Sequence, residues 1–173
     1  MTEYRCLNLG CGKNILPSPW ENYDLYPIDD RVKKIDLEQF PYPFSDETAK
    51  KIMFSHVLEH LYCNKLKVLR ELCRVLRSDG ILVVKLPLYG NVVKHTNGFH
   101  GRDYLNSVLG NGIYDRTANK LFSCVDFHYN FNKNSDKIIG NIIIRLPFFR
   151  RLDFLLYGEG VWHLEKTIGE GME

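Results

Sequence analysis

The stretch YRCLNLGCG, residues 4–12, predicts where the fold and its binding site begin. Residues 4–9 are typical of a short β-strand, and Gly10-Cys11-Gly12 predicts a tight turn directly after it. Glycine in such a turn lets a ligand approach the backbone, because no Cβ stands in the way. Ligands of open α/β sheets bind outside the carboxyl ends of the strands. The stretch therefore predicts a first strand followed by one wall of a ligand site.

The rest of the chain alternates strand-like and helix-like patterns. Apolar residues recur at three- and four-residue spacing over 64–77, which predicts a helix with Asn64 as N-cap and Ser78-Asp79-Gly80 as its stop. Further strands are predicted at 22–26, 32–37, 50–55, 81–86, 121–131 and 161–168. Continuous apolar strands separated by helices favour an α/β fold, with a mostly parallel sheet covered by helices on both faces and antiparallel strands added at its edge.

Composition narrows the class of protein. The chain has 173 residues, 45% of them apolar and 25% charged, which predicts one globular domain over 1–173. A net charge of +2 offers no overall field for binding nucleic acid. The five cysteines never form a CxxC pair, which favours free thiols in a reducing, cytoplasmic location. No apolar run approaches the ~18 residues of a membrane span.

Two acidic residues strengthen the prediction of a ligand site. Asp24 and Asp36 close the second and third predicted strands, where one could accept hydrogen bonds from a ribose diol and the other could lie beside an adenine ring. This series favours an adenosine-containing ligand. The other interpretation is a tight turn with two acidic caps on the surface.

A dinucleotide is a poorer match to the same stretch. The dinucleotide fingerprint requires a third glycine three residues after the second, and Ile15 occupies that position. Pro17 and Pro19 leave no room for a full crossover helix before Asp24, so no helix N-terminus would face a pyrophosphate.

A metal site is the second alternative. His56-Val57-Leu58-Glu59-His60 matches the HxxEH pattern of some zinc hydrolases. The pentapeptide directly follows a predicted strand rather than lying within a helix, so we expect no metal there.

Five motifs in order carry a family resemblance: LNLGCG at 7–12, YDLYP at 23–27, DLEQFPYPFSDET at 36–48, SHVLEHL at 55–61 and RELCRVLRSDGILVVKLP at 70–87. Together they resemble the class I S-adenosylmethionine-dependent methyltransferases, in particular the small type-11 group. The resemblance implies a Rossmann-like, seven-stranded sheet whose last strand is antiparallel. It covers about half of the chain, and the usual first crossover helix is replaced by the loop 13–21.

The resemblance also implies a cofactor site. Gly10, Cys11 and Gly12 would line the methionine part, Asp24 would hold the ribose, and Asp36 with Leu37 would flank the adenine. The full implied set is Asn8, Leu9, Gly10, Cys11, Gly12, Asp24, Leu25, Asp36, Leu37, Ser55 and His56. S-adenosylmethionine would be the cofactor and S-adenosylhomocysteine the product.

The expected activity is methylation of a small-molecule acceptor, with residues 1–87 as the cofactor half and 88–173 as the substrate or lid half. His56 is the candidate general base, because histidine titrates near neutral pH and this one follows a strand end. His100, in a polar loop, is a second candidate for contact with the substrate. The aromatic and basic segment 146–158 is typical of a core-facing helix with an exposed arginine edge. The alternatives are a basic amphipathic surface for lipid-linked or anionic substrates and a dimer contact. The alternative function is an S-adenosylmethionine-binding module without its own catalysis.

Overall fold

The computed structural model describes residues 4–87, 121–131 and 158–167. These ranges contain seven strands and one helix, in the order β1 (Arg5–Leu9), β2 (Trp20–Asp24), β3 (Val32–Lys34), β4 (Ala49–Ser55), α1 (Lys65–Val75), β5 (Leu76–Pro87), β6 (Phe122–Phe131) and β7 (Gly158–Lys166). The segments 13–19 and 56–64 are loops and turns without a helix. The α/β prediction is therefore confirmed, and the missing first crossover helix is confirmed with it.

All seven strands form a single sheet in the order β3-β2-β1-β4-β5-β7-β6. The pairs among β1 to β5 are parallel, so these five strands deliver their carboxyl ends to the same edge. β7 runs antiparallel to both of its neighbours. The predicted antiparallel strands at the edge of the sheet are confirmed: β7 lies between β5 and β6, and β6 is the outermost strand.

The core lies between α1 and one face of the sheet. Val68, Leu69 and Leu72 on α1 are fully buried, and they belong to one apolar cluster with Leu82 and Val84 of β5. This placement follows from two periodicities: the helix directs every third or fourth residue at the sheet, and the strand directs every second residue at the helix. Burial of this continuous stripe is the main force that attaches α1 to the sheet.

The helix ends earlier than its sequence predicts. Asn64 is the N-cap, as predicted, and its side chain accepts a hydrogen bond from the backbone N–H of Leu66. The predicted stop at 78–80 is wrong, because α1 ends at Val75 and β5 begins at Leu76. Leu76 is fully buried and pairs with Ala49 of β4, so strand pairing and burial terminate the helix before the turn-forming residues are reached.

The described residues test the prediction of helices on both faces of the sheet only in part. Only α1 is helical within the described ranges, and it packs on one face. The segment 146–158 lies outside those ranges except for Gly158, the first residue of β7. No helix among the described residues is both long and apolar enough to cross a membrane.

Candidate functional site

The glycine turn after β1 is fastened to the end of β2. The backbone N–H groups of Gly10 and Cys11 both donate to the carbonyl oxygen of Tyr23, at 2.8 and 3.0 Å. The N–H of Gly12 donates to Asp24 Oδ2 at 2.8 Å, and the N–H of Tyr26 donates to Oδ1 at 3.0 Å. The Asp24 carboxylate therefore holds both the glycine turn and its own following turn in place.

Gly10 and Gly12 meet different constraints in this turn. Both adopt positive φ, +70° at Gly10 and +50° at Gly12, which favours glycine. A Cβ on Gly10 would stand 2.4 Å from Cγ2 of Val57, whereas a Cβ on Gly12 would meet no atom within 4 Å. Gly10 is needed for packing as well as for conformation, and Gly12 faces open space.

Two buried amides shape the loop after the glycine turn. Asn8 Nδ2 donates to the carbonyl of Asn14 at 2.9 Å and to Asn22 Oδ1 at 2.8 Å. Asn22 in turn exchanges two hydrogen bonds, each 2.9 Å long, with the backbone of Leu16. Both amides are almost fully buried, so their polar atoms must be satisfied within the protein. They hold the loop against β1 and β2 in place of a crossover helix.

One cavity lies beside Gly10, at the ends of β2 and β3, with a volume of about 330 Å³. Its residues are Gly10, Asp24, Leu25, Ile35, Asp36, Leu37, Glu38, His56, Val57, His60, Leu61 and Tyr62. Asp36 and Glu38 serve the backbone here: Asp36 Oδ1 accepts from the N–H of Glu38 at 2.9 Å, and Glu38 Oε1 accepts from the N–H groups of Tyr62 and Cys63. The cavity thus combines apolar walls with a few carboxylates at fixed positions.

A second cavity, of about 400 Å³, also borders Gly10. It is lined by Asn8, Gly10, Cys11, Gly12, Lys13, Asn14, Ser55 and His56. Gly10 and His56 line both cavities, so the two spaces adjoin at these residues. Each volume falls within the range of small-molecule sites, roughly 300–1,000 Å³.

His56, at the junction of the two cavities, lies between two carboxylates. Its Nε2 is 2.6 Å from Glu159 Oε2 and its Nδ1 is 3.3 Å from Glu59 Oε1. Its backbone is left-handed, with φ at +54°, and its N–H donates to the carbonyl of Lys85. Glu159 also accepts from Asn130 Nδ2 at 2.8 Å, so β6 and β7 contribute to the position of the imidazole.

These contacts favour the charged form of the imidazole. The hydrogen bond to Glu159, supported by the nearby carboxylate of Glu59, raises the pKa of His56 to about 9 against the opposing effect of burial. The hydrogen bond from His56 lowers the pKa of Glu159 to about 2. At neutral pH this arrangement makes His56 a cation and a hydrogen-bond donor. The base role predicted for it requires the neutral form.

Ten of the eleven predicted cofactor residues line one or both cavities. Leu25 lines the first, with Asp24, Asp36 and Leu37, while Cys11 and Ser55 line the second with Gly12 and Asn8. Gly10 and His56 line both cavities and complete the ten. The eleventh predicted residue, Leu9, lines neither cavity. Its side chain is 1% exposed in the apolar core.

Some residues of the site were missed by sequence reasoning. Glu38 lies within the motif at 36–48 but was given no role, and Lys13 and Tyr62 each directly follow a quoted motif. Glu159 lies 103 residues from His56, and no local pattern indicates that pair. His100 lies outside the described residues, so its predicted contact with substrate stays a prediction.

The HxxEH pattern does not form the helix that a zinc hydrolase would need. Residues 57–60 form a turn closed by a 2.9 Å hydrogen bond from the N–H of His60 to the carbonyl of Val57, and α1 begins only at Lys65. The two histidines are therefore not presented one turn apart on a helical face.

The comparisons with known proteins agree with this geometry. Residues 7–84 match the family model of a methyltransferase domain, Methyltransf_11. The match covers just under half of the chain, and over that segment the chain is similar to the type-11 methyltransferases. The match contains most of β1, all of β2 to β4 and α1, and most of β5, and with them the glycine turn, both strand-end aspartates and His56. This family implies S-adenosylmethionine as cofactor.

Solved structures share the fold at low sequence identity. A SAM-dependent methyltransferase from Archaeoglobus fulgidus is 18% identical, with a TM-score of 0.57, over 94% of this chain and 86% of its own. The YcgJ protein from Bacillus subtilis is 12% identical, with a TM-score of 0.57, over 98% and 94%. The cyclase SpnF is 15% identical, with a TM-score of 0.56, over 96% and 75%. A comparison with curated proteins found no significant match.

Proposed function

We propose that this protein transfers the methyl group of S-adenosylmethionine to a small-molecule acceptor. The observation that carries the proposal is the pair of cavities that adjoin at Gly10 and His56, on the sheet edge where the parallel strands end. One cavity has apolar walls with carboxylates, and the other is lined largely by a glycine turn and amides. An adenosyl group and an amino-acid group joined at one sulfur have the same two-part character.

The first cavity suits adenosine. Leu25 and Leu37 offer apolar surfaces for a flat base, and Asp36 lies beside them. Asp24 already accepts one backbone N–H at each carboxylate oxygen. Each of these oxygens has a second lone pair, so the carboxylate can also accept from two ribose hydroxyls. The same residue would then fasten the glycine turn and bind the sugar.

The second cavity suits the methionine part. Gly12 has no neighbouring atom where a Cβ would stand, so a ligand can approach this stretch of backbone closely. The bound sulfonium would supply an electrophilic methyl group for in-line displacement. The task of the protein is then to bind, orient and exclude water, because positioning contributes most to such a reaction.

His56 would act at the junction as a positioned donor. Its two carboxylate neighbours hold the imidazole at both ring nitrogens. A protonated imidazole can orient an acceptor oxygen by donating a hydrogen bond if one of these contacts opens. As a base it would require loss of the Glu159 contact or alkaline pH, because that contact raises its pKa to about 9.

Thermal unfolding with S-adenosylhomocysteine tests cofactor binding. A ligand at a hundred times its dissociation constant adds about 2.7 kcal/mol to the free energy of unfolding, which raises the midpoint temperature measurably. Asp24→Asn should lose most of that shift, and Asp30→Asn should keep it. Asp30 is a suitable control because it is an exposed aspartate that follows the same strand and lines neither cavity. No shift in the parent protein at millimolar ligand would refute the proposal.

A second candidate is a cofactor-binding module without its own methyl transfer. The charged state favoured at His56 supports it, because an imidazole that is mostly protonated at pH 7 is a poor general base. Incubation with S-adenosylmethionine and hydroxyl, carboxyl and amine acceptors separates the two functions. Formation of S-adenosylhomocysteine above the acceptor-free rate indicates a methyltransferase. Binding without any such product across the panel favours the module.

A further inference from the structure

Three metal-ligating side chains come together on β6 and β7, away from the two cavities. They are Asp126 and His128 of β6 and His163 of β7, and one potential ligand atom from each lies within 4.8 Å of the other two. His128 Nδ1 is 3.4 Å from Asp126 Oδ2, and the two imidazole centroids are 5.7 Å apart. Neither cavity is lined by any of these residues.

A β-bulge creates this cluster. Cys124 pairs with Leu164, but the next pair joins Asp126 to His163, so Val125 is the extra residue on β6. Beyond the bulge Phe127 lies opposite Trp162 and His128 opposite Val161. If β6 had no extra residue, Val125 would pair with His163, and the side chains of Asp126 and His128 would lie on the opposite face of the sheet. Bulges commonly re-aim side chains in this way beside functional sites.

The three residues share the face of the sheet opposite the one that carries the core. Trp162 and Leu164 are buried on the face that carries the core, so His163 between them points to the other face. Asp126 and His128 are exposed, and His163 is partly exposed. An ion can therefore reach the cluster from solvent without any rearrangement of the core.

We propose that Asp126, His128 and His163 bind a divalent first-row transition-metal ion such as Zn²⁺. Two imidazoles and one carboxylate match the ligand preferences of zinc, copper and nickel rather than those of magnesium or calcium. Ligands of a tetrahedral zinc ion lie about 3.4 Å apart when the metal bonds are about 2.1 Å long. The observed Asp126–His128 separation of 3.4 Å already has that value, and small side-chain rotations would bring in His163.

Three protein ligands leave a fourth position for water or another small ligand. The ion would tie the edge strand β6 to β7, since the ligands come from both strands. The site is distinct from the junction at His56, because His163 and Glu159 are four residues apart on β7, about 13 Å at the rise of an extended strand.

Isothermal titration of the chelator-treated chain with Zn²⁺ tests the proposal. The expected result is one ion per chain, and at least about a tenfold weaker affinity in both His128→Gln and His163→Gln. Ser123→Ala is the matched control, because Ser123 is an exposed residue of the same strand on the other side of the bulge and should leave the affinity unchanged. Because His128 is exposed, its variant should unfold at the parent temperature when no metal is present.

Co²⁺ spectroscopy distinguishes this site from binding by the free cysteines. We expect ligand-field bands without thiolate charge-transfer bands, and their loss in His163→Gln. Thiolate bands that persist in both glutamine variants would overturn the proposal. So would unchanged Zn²⁺ affinity in both variants, or the absence of binding by the parent at millimolar Zn²⁺.

Discussion

Replacement of Gly10 by alanine should destabilise the fold more than the same change at Gly12. Both alanines would have to adopt positive φ, at a cost of about 1–2 kcal/mol each. Only at Gly10 would the new methyl group overlap a neighbour, 2.4 Å from Cγ2 of Val57. Such overpacking costs typically 1–3 kcal/mol. We therefore expect losses of about 2–5 kcal/mol for Gly10→Ala and about 1–2 kcal/mol for Gly12→Ala.

The contact with Val57 can be isolated by a double-mutant cycle. Val57→Ala removes both methyl groups nearest to the new Cβ, and its own loss should be about 2 kcal/mol from the buried carbons and the small cavity. In that background Gly10→Ala should cost only about 1–2 kcal/mol, the conformational part. The expected coupling is therefore about 1–3 kcal/mol in favour of the double variant.

Urea-induced equilibrium unfolding of the four proteins of the cycle measures these differences as changes in midpoint at constant slope. Equal costs of Gly10→Ala with and without Val57 would refute the steric argument, and the conformational cost alone would then explain the glycine. The two glycines should rank in the opposite order when the loss of ligand affinity in each variant is compared with its loss of stability. Gly12→Ala places its methyl group in open space beside the second cavity, so it should weaken binding of S-adenosylhomocysteine more than it weakens the fold.

Two further predictions concern the His56 pair and the start of α1. The pKa of His56 is raised from 6.5 to about 9, so the contribution of His56 to stability is complete below about pH 6.5 and is lost as the pH rises through 9. The pKa of Glu159 is lowered, so the contribution of Glu159 is lost as the pH falls from 4.5 through about 2. Chemical unfolding between pH 6.5 and 9 should show a decline in the parent and a smaller one in Glu159→Gln; identical declines would contradict the assignment. Asn64→Ala should cost about 1 kcal/mol by loss of its hydrogen bond to the Leu66 N–H, and Asn64→Asp should cost much less in the same assay.

Local patterns predicted the parts of the site that lie directly after strands. Gly10, Asp24 and Ser55 were placed correctly at one edge because strand periodicity and turn chemistry act over a few residues, and parallel strands end on the same side. Leu9 shows the limit of transferring a motif residue by residue. Its neighbour Gly10 lines both cavities, but the Leu9 side chain alternates to the interior of the sheet and packs in the core.

The end of α1 and the position of β7 could not be predicted locally. Residues 78–80 have the composition of a turn, but burial of Leu76 and its pairing with β4 start a strand before them. The position of β7 depends on which exposed strand edge accepts it, and that choice is made by pairing with both β5 and β6. Propensity is weaker than these tertiary contacts wherever the two disagree.

Residues close together in the chain were sufficient to predict the α/β class, the glycine turn, the acidic strand ends and the resemblance to a methyltransferase family. Tertiary structure alone decided which groups surround His56. Glu159 reaches it from the seventh strand, and the protonation of the imidazole depends on that contact. The Asp126–His128–His163 cluster likewise exists only through a bulge and a strand pair. Both arrangements depend on distances between residues far apart in sequence, and such distances are set only when the strands assemble.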